Sequence, residues 1–150
     1  MTVVSYSERL HIPWWWIVIG LLFVASIAVA VLAYLELWLA ISVIALTLVG
    51  VGLGLVAYSA TRLSVDGEAF TAGRNRLERD YIGEVTALEG EAARQALGPG
   101  ADNREFLFTR PFIDGLVRVE LADPADPHSR WLVSTRRPAE LAAALSEIAR

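Results

Sequence analysis

The sequence predicts an α+β membrane protein, in which an N-terminal transmembrane helical hairpin is followed by a small antiparallel β-barrel or sheet with a C-terminal helix. Three observations support this fold class. Hydrophobic residues make up 55% of the 150 residues, and residues 13–58 contain a single charge, Glu36. From residue 61 onward charges recur every few positions, and apolar residues alternate with polar ones as in half-buried strands. Near the carboxyl end the apolar spacing becomes helical.

Two apolar runs, residues 14–35 and 37–58, are each long enough to cross a hydrocarbon core of about 30 Å at about 1.5 Å of rise per residue. Tryptophan and tyrosine lie near the ends of both runs, as is typical of membrane interfaces. Glu36 alone separates the runs, so a very tight hairpin is predicted. One long helix is the alternative, and it would bury Glu36. A cleaved signal peptide is disfavoured because apolar sequence continues past residues 28–30.

Positive charges flank the apolar region on both sides. Arg9 and His11 precede the first run, and Arg62 follows the second. Because basic residues are enriched on the cytoplasmic side of membrane helices, both termini are predicted to be cytoplasmic in a multi-pass protein of the inner (plasma) membrane. The predicted regions are a cytoplasmic N-terminal segment, a transmembrane hairpin and a cytoplasmic domain, covering residues 1–12, 13–60 and 61–150.

The second apolar run contains a G-x-x-x-G spacing at Gly50 and Gly54. Such spacings let helix backbones approach closely. Packing of the two spans on each other is the favoured interpretation, and a homo-oligomer contact through Gly50 and Gly54 is the alternative. Neither run carries a charged residue except Glu36 at its edge, which disfavours a pump or an ion channel.

The composition excludes several chemistries. All 13 basic residues are arginine and there is no cysteine, so lysine Schiff bases, P-loop lysines, disulfides and thiolate metal sites are excluded. A formal net charge of -4 disfavours a nucleic-acid partner, which requires a basic footprint. No cofactor is expected.

Residues 61–135 predict a meander of about six short strands. The strands are expected around Leu63, around Phe70 and over residues 81–88, 105–110, 116–121 and 130–135. Asp66-Gly67 is a hairpin-turn signal between the first two strands. A short helix is predicted over residues 89–97, where Gly98-Pro99-Gly100 ends it.

The chain ends in a predicted amphipathic helix that begins near Pro138. Leu141, Leu145 and Ile148 form one apolar stripe, which is expected to pack into the barrel. Strands followed by a closing C-terminal helix are the order of elements in a pleckstrin-homology-like (PH-like) domain, and this analogy rests on element order alone.

Several segments are similar to one protein family. They are Tyr6-Ser7-Glu8-Arg9-Leu10, Pro13-Trp14-Trp15-Trp16, residues 93–99, Thr109-Arg110-Pro111, residues 123–127 and residues 131–138. Together they resemble a family of actinobacterial two-span membrane proteins of unknown function (domain of unknown function 3093), and the resemblance runs along essentially the whole chain. It implies an integral membrane protein with a small cytoplasmic domain, and it offers no activity.

The loop before the last predicted strand contains Asp123, Asp126 and His128, whose oxygen and imidazole groups suit divalent metals. With Ser134, Asp126 and His128 also supply the residue types of a hydrolytic triad. Asp-Pro pairs are ordinary turn formers, however, and no nucleophile-elbow motif is present. A turn is therefore the favoured interpretation, and neither a catalytic nor a metal site is predicted.

Arg136 and Arg137 precede the C-terminal helix, where the helix dipole favours anions. They are candidate ligand-binding residues. The favoured alternative is a structural ion pair with Glu120 or Asp123 that holds the helix in place.

Arg62, Arg74 and Arg76 are candidate headgroup-binding residues, because Arg62 follows the second span closely and each arginine near an anionic leaflet contributes about 1 kcal/mol. An equally favoured alternative is a solvated face. Its acidic members are Glu68, Glu78 and Asp80.

No catalytic constellation stands out. We therefore expect a non-enzymatic integral membrane protein that presents a small cytoplasmic PH-like domain for protein or lipid-headgroup binding, with the lipid bilayer and a protein partner in the membrane or cytoplasm as binding partners. An accessory or regulatory subunit of a larger membrane complex is one alternative. A membrane enzyme that acts on an envelope substrate through the Asp123, Asp126 and His128 loop is another.

Overall fold

The first unit of the structure consists of two long apolar helices joined by two residues. In the computed structural model, which describes residues 5–150, helix α1 spans Trp14–Tyr34 and helix α2 spans Leu37–Ser59. Leu35 and Glu36 have extended backbones with ψ of 154° and 146°, so the first helix ends before Glu36. The predicted pair of helices is confirmed, and a single long helix is excluded. Both helices are long and apolar enough to cross a membrane.

Gly20 lies at the contact between the two helices. A Cβ atom at Gly20 would lie 3.0 Å from Cγ1 of Val51, which is tighter than an ordinary contact, so a larger residue would require the Val51 side chain to shift. A Cβ at Gly50 or Gly54 would meet no described atom within 4 Å. The favoured interpretation of Gly50 and Gly54, packing of the two spans on each other, is therefore wrong. The reason is that both glycines lie on a face of α2 that does not contact α1.

The second unit combines residues 5–10 with Arg62–Arg150. Its first sheet, sheet A, contains four antiparallel strands in sequence order. They are β1 (Tyr6–Arg9), β2 (Arg62–Val65), β3 (Ala69–Ala72) and β4 (Asn75–Glu78). The sequence analysis had set residues 1–12 apart from this domain, whereas residues 6–9 form its edge strand. A four-residue strand has too little alternation to be recognised from sequence.

Two different turns connect the strands of sheet A. In the predicted hairpin, Oδ1 of Asp66 accepts hydrogen bonds from the backbone N–H groups of Glu68 (3.0 Å) and Ala69 (2.8 Å). These bonds hold the pKa of Asp66 below its usual value. The β3–β4 hairpin was not predicted. It requires Gly73, whose φ of 62° is strained for other residues.

The second sheet, sheet B, has the strand order β5-β7-β8-β6. Its strands are β5 (Ile82–Leu88), β6 (Glu105–Phe108), β7 (Leu116–Leu121) and β8 (Arg130–Ser134). The prediction of a purely antiparallel arrangement is wrong at β6 and β8, which are parallel. The reason is geometric. Strands β6 and β7 run in opposite directions, and β8 inserts between them antiparallel to β7.

The inner faces of the two open sheets pack on each other and on helix α4 (Pro138–Ile148). The ring of Phe70 in sheet A lies 6.3 Å from that of Trp131 in sheet B, measured between centroids. Leu141 and Leu145 are fully buried in this core, and Ile148 packs against its edge. The predicted burial of the α4 stripe is confirmed.

Helix α3 (Gly90–Leu97) covers part of the outer face of sheet B. Ala93 and Ala96 bury a second, smaller apolar cluster with Leu88, Leu116 and Leu132. Small side chains on α3 let the helix lie close to the sheet. The outer face of sheet A carries no comparable apolar cluster among the described residues, so its polar side chains face outward.

Candidate functional site

Four exposed arginines line one end of sheet A, and we call them the arginine row: Arg9, Arg62, Arg74 and Arg136. Arg9 lies directly opposite Arg62 in the β1–β2 register. The N–H of Gly73 donates to the carbonyl of Arg62 at 2.9 Å, which brings the β3–β4 turn and Arg74 beside Arg62. The guanidinium of Arg136 donates to the carbonyl of Arg9 at 3.5 Å. Arg62 and Arg74 of the first predicted set and Arg136 of the second therefore lie at the same end of the domain.

Three members of the arginine row, Arg9, Arg62 and Arg74, have no acidic ion-pair partner among residues 5–150. Like charges directly opposite each other in a sheet are destabilising, so the Arg9–Arg62 pair lowers the stability of sheet A. An anion bound here would relieve the repulsion.

A row of hydroxyl groups adjoins the arginine row on the outer face of sheet A. Ser7 is opposite Ser64, and Ser64 is opposite Thr71. Side chains two positions apart in a strand share a face, so Ser7 and Ser64 lie on the same face as Arg9 and Arg62. Hydroxyl groups can donate hydrogen bonds to an oxyanion. The surface therefore combines guanidinium charge with neutral donors.

Arg76 lies on the same face, although its surroundings are acidic. It lines a shallow depression of about 420 Å³ together with Glu68, Glu78, Arg79 and Asp80. Its charge also contributes, after the two backbone hydrogen bonds, to the lowered pKa of Asp66. The structure thus places Arg62 and Arg74 in the arginine row, whereas Arg76 belongs to the mixed-charge end of sheet A.

The carboxylate of Glu8 binds the backbone just before the N-terminus of helix α4. Glu8 is 7% exposed, and its Oε1 accepts the backbone N–H of Arg136 at 3.0 Å. Its Oε2 accepts the hydroxyls of Tyr6 (2.7 Å) and Thr135 (2.5 Å). An external anion would have to displace Glu8 to reach this backbone N–H. The guanidinium of Arg136, in contrast, is exposed.

Arg137 is committed to the domain itself. Its guanidinium pairs with Glu140 at 2.9 Å, donates to the carbonyl of Ser7 at 3.0 Å and lies 4.9 Å from the centre of the Tyr6 ring. These contacts fasten β1 to the start of α4. Its described ion pair is therefore with Glu140 and not with the acids that the sequence suggested.

Tyr6 remains a hydrogen-bond donor within this cluster. Burial raises the pKa of Tyr6 to about 12, and the neighbouring Glu8 carboxylate acts in the same direction, against the opposing effect of Thr135. The phenol is therefore protonated at physiological pH and donates to Glu8. Strand β1 is therefore held by side-chain hydrogen bonds as well as by its backbone pairing with β2. These interactions fix the position of Arg9 in the arginine row.

The acidic loop forms turns. Oδ1 of Asp123 accepts the N–H of Ala125 at 2.9 Å, and Oδ1 of Asp126 accepts the N–H of His128 at 2.8 Å. The same Asp126 oxygen lies 3.0 Å from Nδ1 of His128. Residues 5–150 contain no group of three acidic or histidine side chains placed to hold a metal ion.

Ser134 does not join this loop. It ends β8, whereas His128 precedes that strand, so about 20 Å of extended chain separates the two residues. The hydroxyl of Ser134 instead accepts the backbone N–H of Arg110 at 2.8 Å. The residue types of a triad are present, but the structure does not bring them together.

Sequence analysis missed Arg9 and Glu8 as members of this region. The available signal was the alternation of Tyr6 and Glu8 with Ser7 and Arg9, which places a charge on each face of a short strand. This four-residue alternation indicates a strand only once its pairing with β2 is known.

Comparison with known proteins gives a family and no activity. No curated protein and no solved structure matches the chain. A protein family described as "Protein of unknown function (DUF3093)" matches residues 5–145, which include both helices, both sheets and most of α4. The chain therefore belongs to the DUF3093 family.

Proposed function

We propose that this protein is a non-enzymatic integral membrane protein of the plasma membrane, whose PH-like cytoplasmic domain binds anionic lipid headgroups through the arginine row. One observation carries the proposal. The β1–β2 register places Arg9 beside Arg62, and the Gly73 turn adds Arg74, without an ion-paired acid for any of the three among the described residues.

Exposure of the helical unit supports insertion into a bilayer. Val24 in α1 and Ala40 in α2 are the buried residues of two helices that total 21 and 23 residues. Exposed apolar surface costs about 25 cal/mol per Å² in water, so helices with this composition are stable in lipid and not in solvent. The positions of Arg9 and Arg62 outside both helices favour cytoplasmic termini.

The strand arrangement supports a PH-like domain. Sheet A is a four-stranded antiparallel meander, β5, β7 and β8 form an antiparallel trio, and α4 packs into the core between the sheets. Helix α3 and strand β6 are then additions to that plan, inserted between β5 and β7. A similar arrangement of strands and helices does not imply a shared function, so the proposed binding function rests on the arginines alone.

In the sequence, two members of the arginine row are close to the proposed spans. Arg9 precedes Trp14 by five residues and Arg62 follows Ser59 by three. At about 3.6 Å per residue at most, connections of these lengths reach no further than about 18 Å and about 11 Å. Both distances are compatible with the headgroup layer, where guanidinium groups form charge-assisted hydrogen bonds with phosphate.

The experiment compares hydrogen exchange of the full chain in nanodiscs of neutral lipid and in nanodiscs containing anionic lipid. The full chain is required, because a fragment starting at residue 61 would lack β1 and the Glu8 carboxylate. We expect anionic lipid to slow exchange in β1, β2 and the Gly73 turn, and added salt to reverse the effect.

Replacing Arg9, Arg62 and Arg74 together with glutamine is expected to abolish this protection, with a loss of up to about 3 kcal/mol of headgroup interaction. The matched control replaces Arg79, Arg94 and Arg104 with glutamine. This variant removes the same total charge from exposed positions outside the arginine row. Equal exchange in neutral and anionic nanodiscs, or an equal effect of the two triple variants, would contradict the proposal.

A further inference from the structure

A depression of about 350 Å³ lies between strand β4 and the β7–β8 loop, and we call it the acidic depression. Three carboxylates line it, those of Glu78 from β4 and of Asp123 and Asp126 from the loop. Arg76 supplies the opposing charge. The depression adjoins the mixed-charge end of sheet A, and no member of the arginine row lines it. It is therefore a second surface feature, separate from the one that carries the proposed function.

The carboxylates of the acidic depression are available to a cation. Within residues 5–150, Glu78 and Asp123 form no ion pair, and Asp126 lies beside His128 alone. Oδ1 of Asp123 and Oδ1 of Asp126 accept the backbone N–H groups that hold their turns, which fixes the position of each carboxylate. Oδ2 of either acid accepts no hydrogen bond from the described chain. The loop thus holds two acceptors in place before any ligand arrives.

Aromatic and aliphatic side chains line the rest of the acidic depression. Tyr81 is 41% exposed, and it is held beside the loop because its carbonyl accepts the N–H of Ala122 at 2.9 Å. Leu77, Leu121 and Trp131 add apolar surface that is mostly buried. An aromatic ring face attracts an organic cation in addition to the attraction of the carboxylates. The depression therefore combines negative charge with a surface on which a flat cation can stack.

The spacing of the acids favours an organic cation over a metal ion. Among residues 5–150, no three acidic or histidine side chains are placed to hold a metal ion, so a cation that contacts several of these carboxylates must be larger. A guanidinium group has five N–H donors in one plane, stacks on aromatic rings and is more weakly hydrated than an ammonium group. It can donate to more than one carboxylate while its plane lies against a ring.

We propose that the acidic depression binds a guanidinium group, with the carboxylates of Asp123 and Asp126 as acceptors and the ring of Tyr81 as the stacking surface. The group can belong to a free guanidino compound or to an arginine side chain of a partner protein, because the chemistry of recognition is the same. Arg76 opposes the ligand, so its charge lowers the affinity of the site. This proposal does not depend on lipid binding by the arginine row.

The test measures binding of butylguanidinium to the full chain in nanodiscs of neutral lipid, by saturation-transfer NMR of the ligand. Nanodiscs without the protein give the background. We expect saturation transfer from the chain above this background, and severalfold weaker binding of butylammonium, which has the same charge and alkyl group but no planar donor array. Binding should weaken with added salt, because the attraction is largely electrostatic.

Replacing Asp123 and Asp126 together with asparagine is expected to weaken butylguanidinium binding by about tenfold. Asparagine retains an Oδ1 acceptor for each turn hydrogen bond, so the loop keeps its shape. The matched control replaces Glu84 and Glu89 with glutamine, which removes the same charge from exposed positions outside the depression and should change affinity less than twofold.

Two single variants give effects of opposite sign. Tyr81→Leu keeps apolar bulk but removes the ring, and it is expected to weaken binding severalfold. Arg76→Gln removes the opposing charge, and it is expected to strengthen binding severalfold. A loss of affinity caused only by partial unfolding would not produce this gain.

Binding no stronger than that of protein-free nanodiscs would overturn the proposal, as would equal losses in the two double variants. Weaker binding by Arg76→Gln, or equally tight binding of butylammonium, would also overturn it. A capped arginine peptide identifies the source of the group. Tighter binding of the peptide than of butylguanidinium would support a protein partner, and tighter binding of butylguanidinium would support a free guanidino compound.

Discussion

Replacing Leu145 with aspartate is expected to destabilise the second unit by about 4 kcal/mol or more. Leu145 is fully buried between the two sheets, where it shares the core with Leu141 and Val117. The substitution removes buried apolar volume and places an unpaired charge in that core. Domains have a free energy of unfolding of about 5–15 kcal/mol, so the loss is a large fraction of the total.

Hydrogen exchange of the full chain measures this effect, with strands β7 and β8 reporting on the second unit. The matched control is Ala143→Asp, which introduces the same charge on the exposed side of α4. We expect Leu145→Asp to remove protection from both strands and Ala143→Asp to preserve it. Similar exchange in the two variants would mean that α4 does not close the core.

Replacing Glu8 with alanine is expected to be the next most damaging change, at about 2–4 kcal/mol. The variant removes the acceptor of three donors, the hydroxyls of Tyr6 and Thr135 and the backbone N–H of Arg136. Each buried donor left without a partner costs about 1–3 kcal/mol, although water can reach some of them once β1 loosens. The edge strand should then separate from β2 more often than in the unmodified protein.

Faster exchange in β1 and β2, with little change in sheet B, is the expected signature of Glu8→Ala. Ser7→Ala is the control, because Ser7 is the exposed neighbour on the outer face and its carbonyl contact with Arg137 is retained. If Glu8→Ala exchanged no faster than Ser7→Ala, the buried cluster would not be what holds β1. Loss of anionic-lipid protection in Glu8→Ala is also expected, because the arginine row requires Arg9 in place.

Composition was sufficient to predict the helices, since an uninterrupted apolar run needs no information from elsewhere in the chain. The same holds for α4, whose stripe of Leu141, Leu145 and Ile148 is local. The hairpin at Asp66 was also predictable, because its side chain makes the turn hydrogen bonds within three residues. Each of these elements is specified by neighbours in sequence.

Strand β1 and the parallel pair could not be predicted in this way. Tyr6 pairs with Val65, 59 positions away, and four residues carry too little alternation to indicate a strand alone. The direction of β6 relative to β8 depends on β8 entering between β6 and β7, which is a property of the assembled sheet. Long-range pairing therefore determines the elements that local sequence patterns do not specify.

In the candidate site, too, single residues could be identified from the local sequence, whereas their grouping depends on long-range strand pairing. Arg62 was identified by its closeness to the second helix, and Arg136 by its closeness to a helix N-terminus. Their placement at one end of the domain depends on Arg9, and so on β1. The acids around Arg76 could be identified from the sequence. The β3–β4 hairpin, however, is what places Arg76 beside those acids and Arg74 in the turn away from them.

The central claim, that the outer face of sheet A meets an anionic membrane surface, can be measured with single cysteines, because the chain has none of its own. Ser64→Cys places a dye on that face, and Thr86→Cys places the same dye on the outer face of sheet B. The full chain is reconstituted in nanodiscs containing anionic lipid and a lipid with a nitroxide in its headgroup. The account predicts strong, salt-sensitive quenching at position 64 and little at position 86. Equal quenching at the two positions, or stronger quenching at position 86, would contradict it.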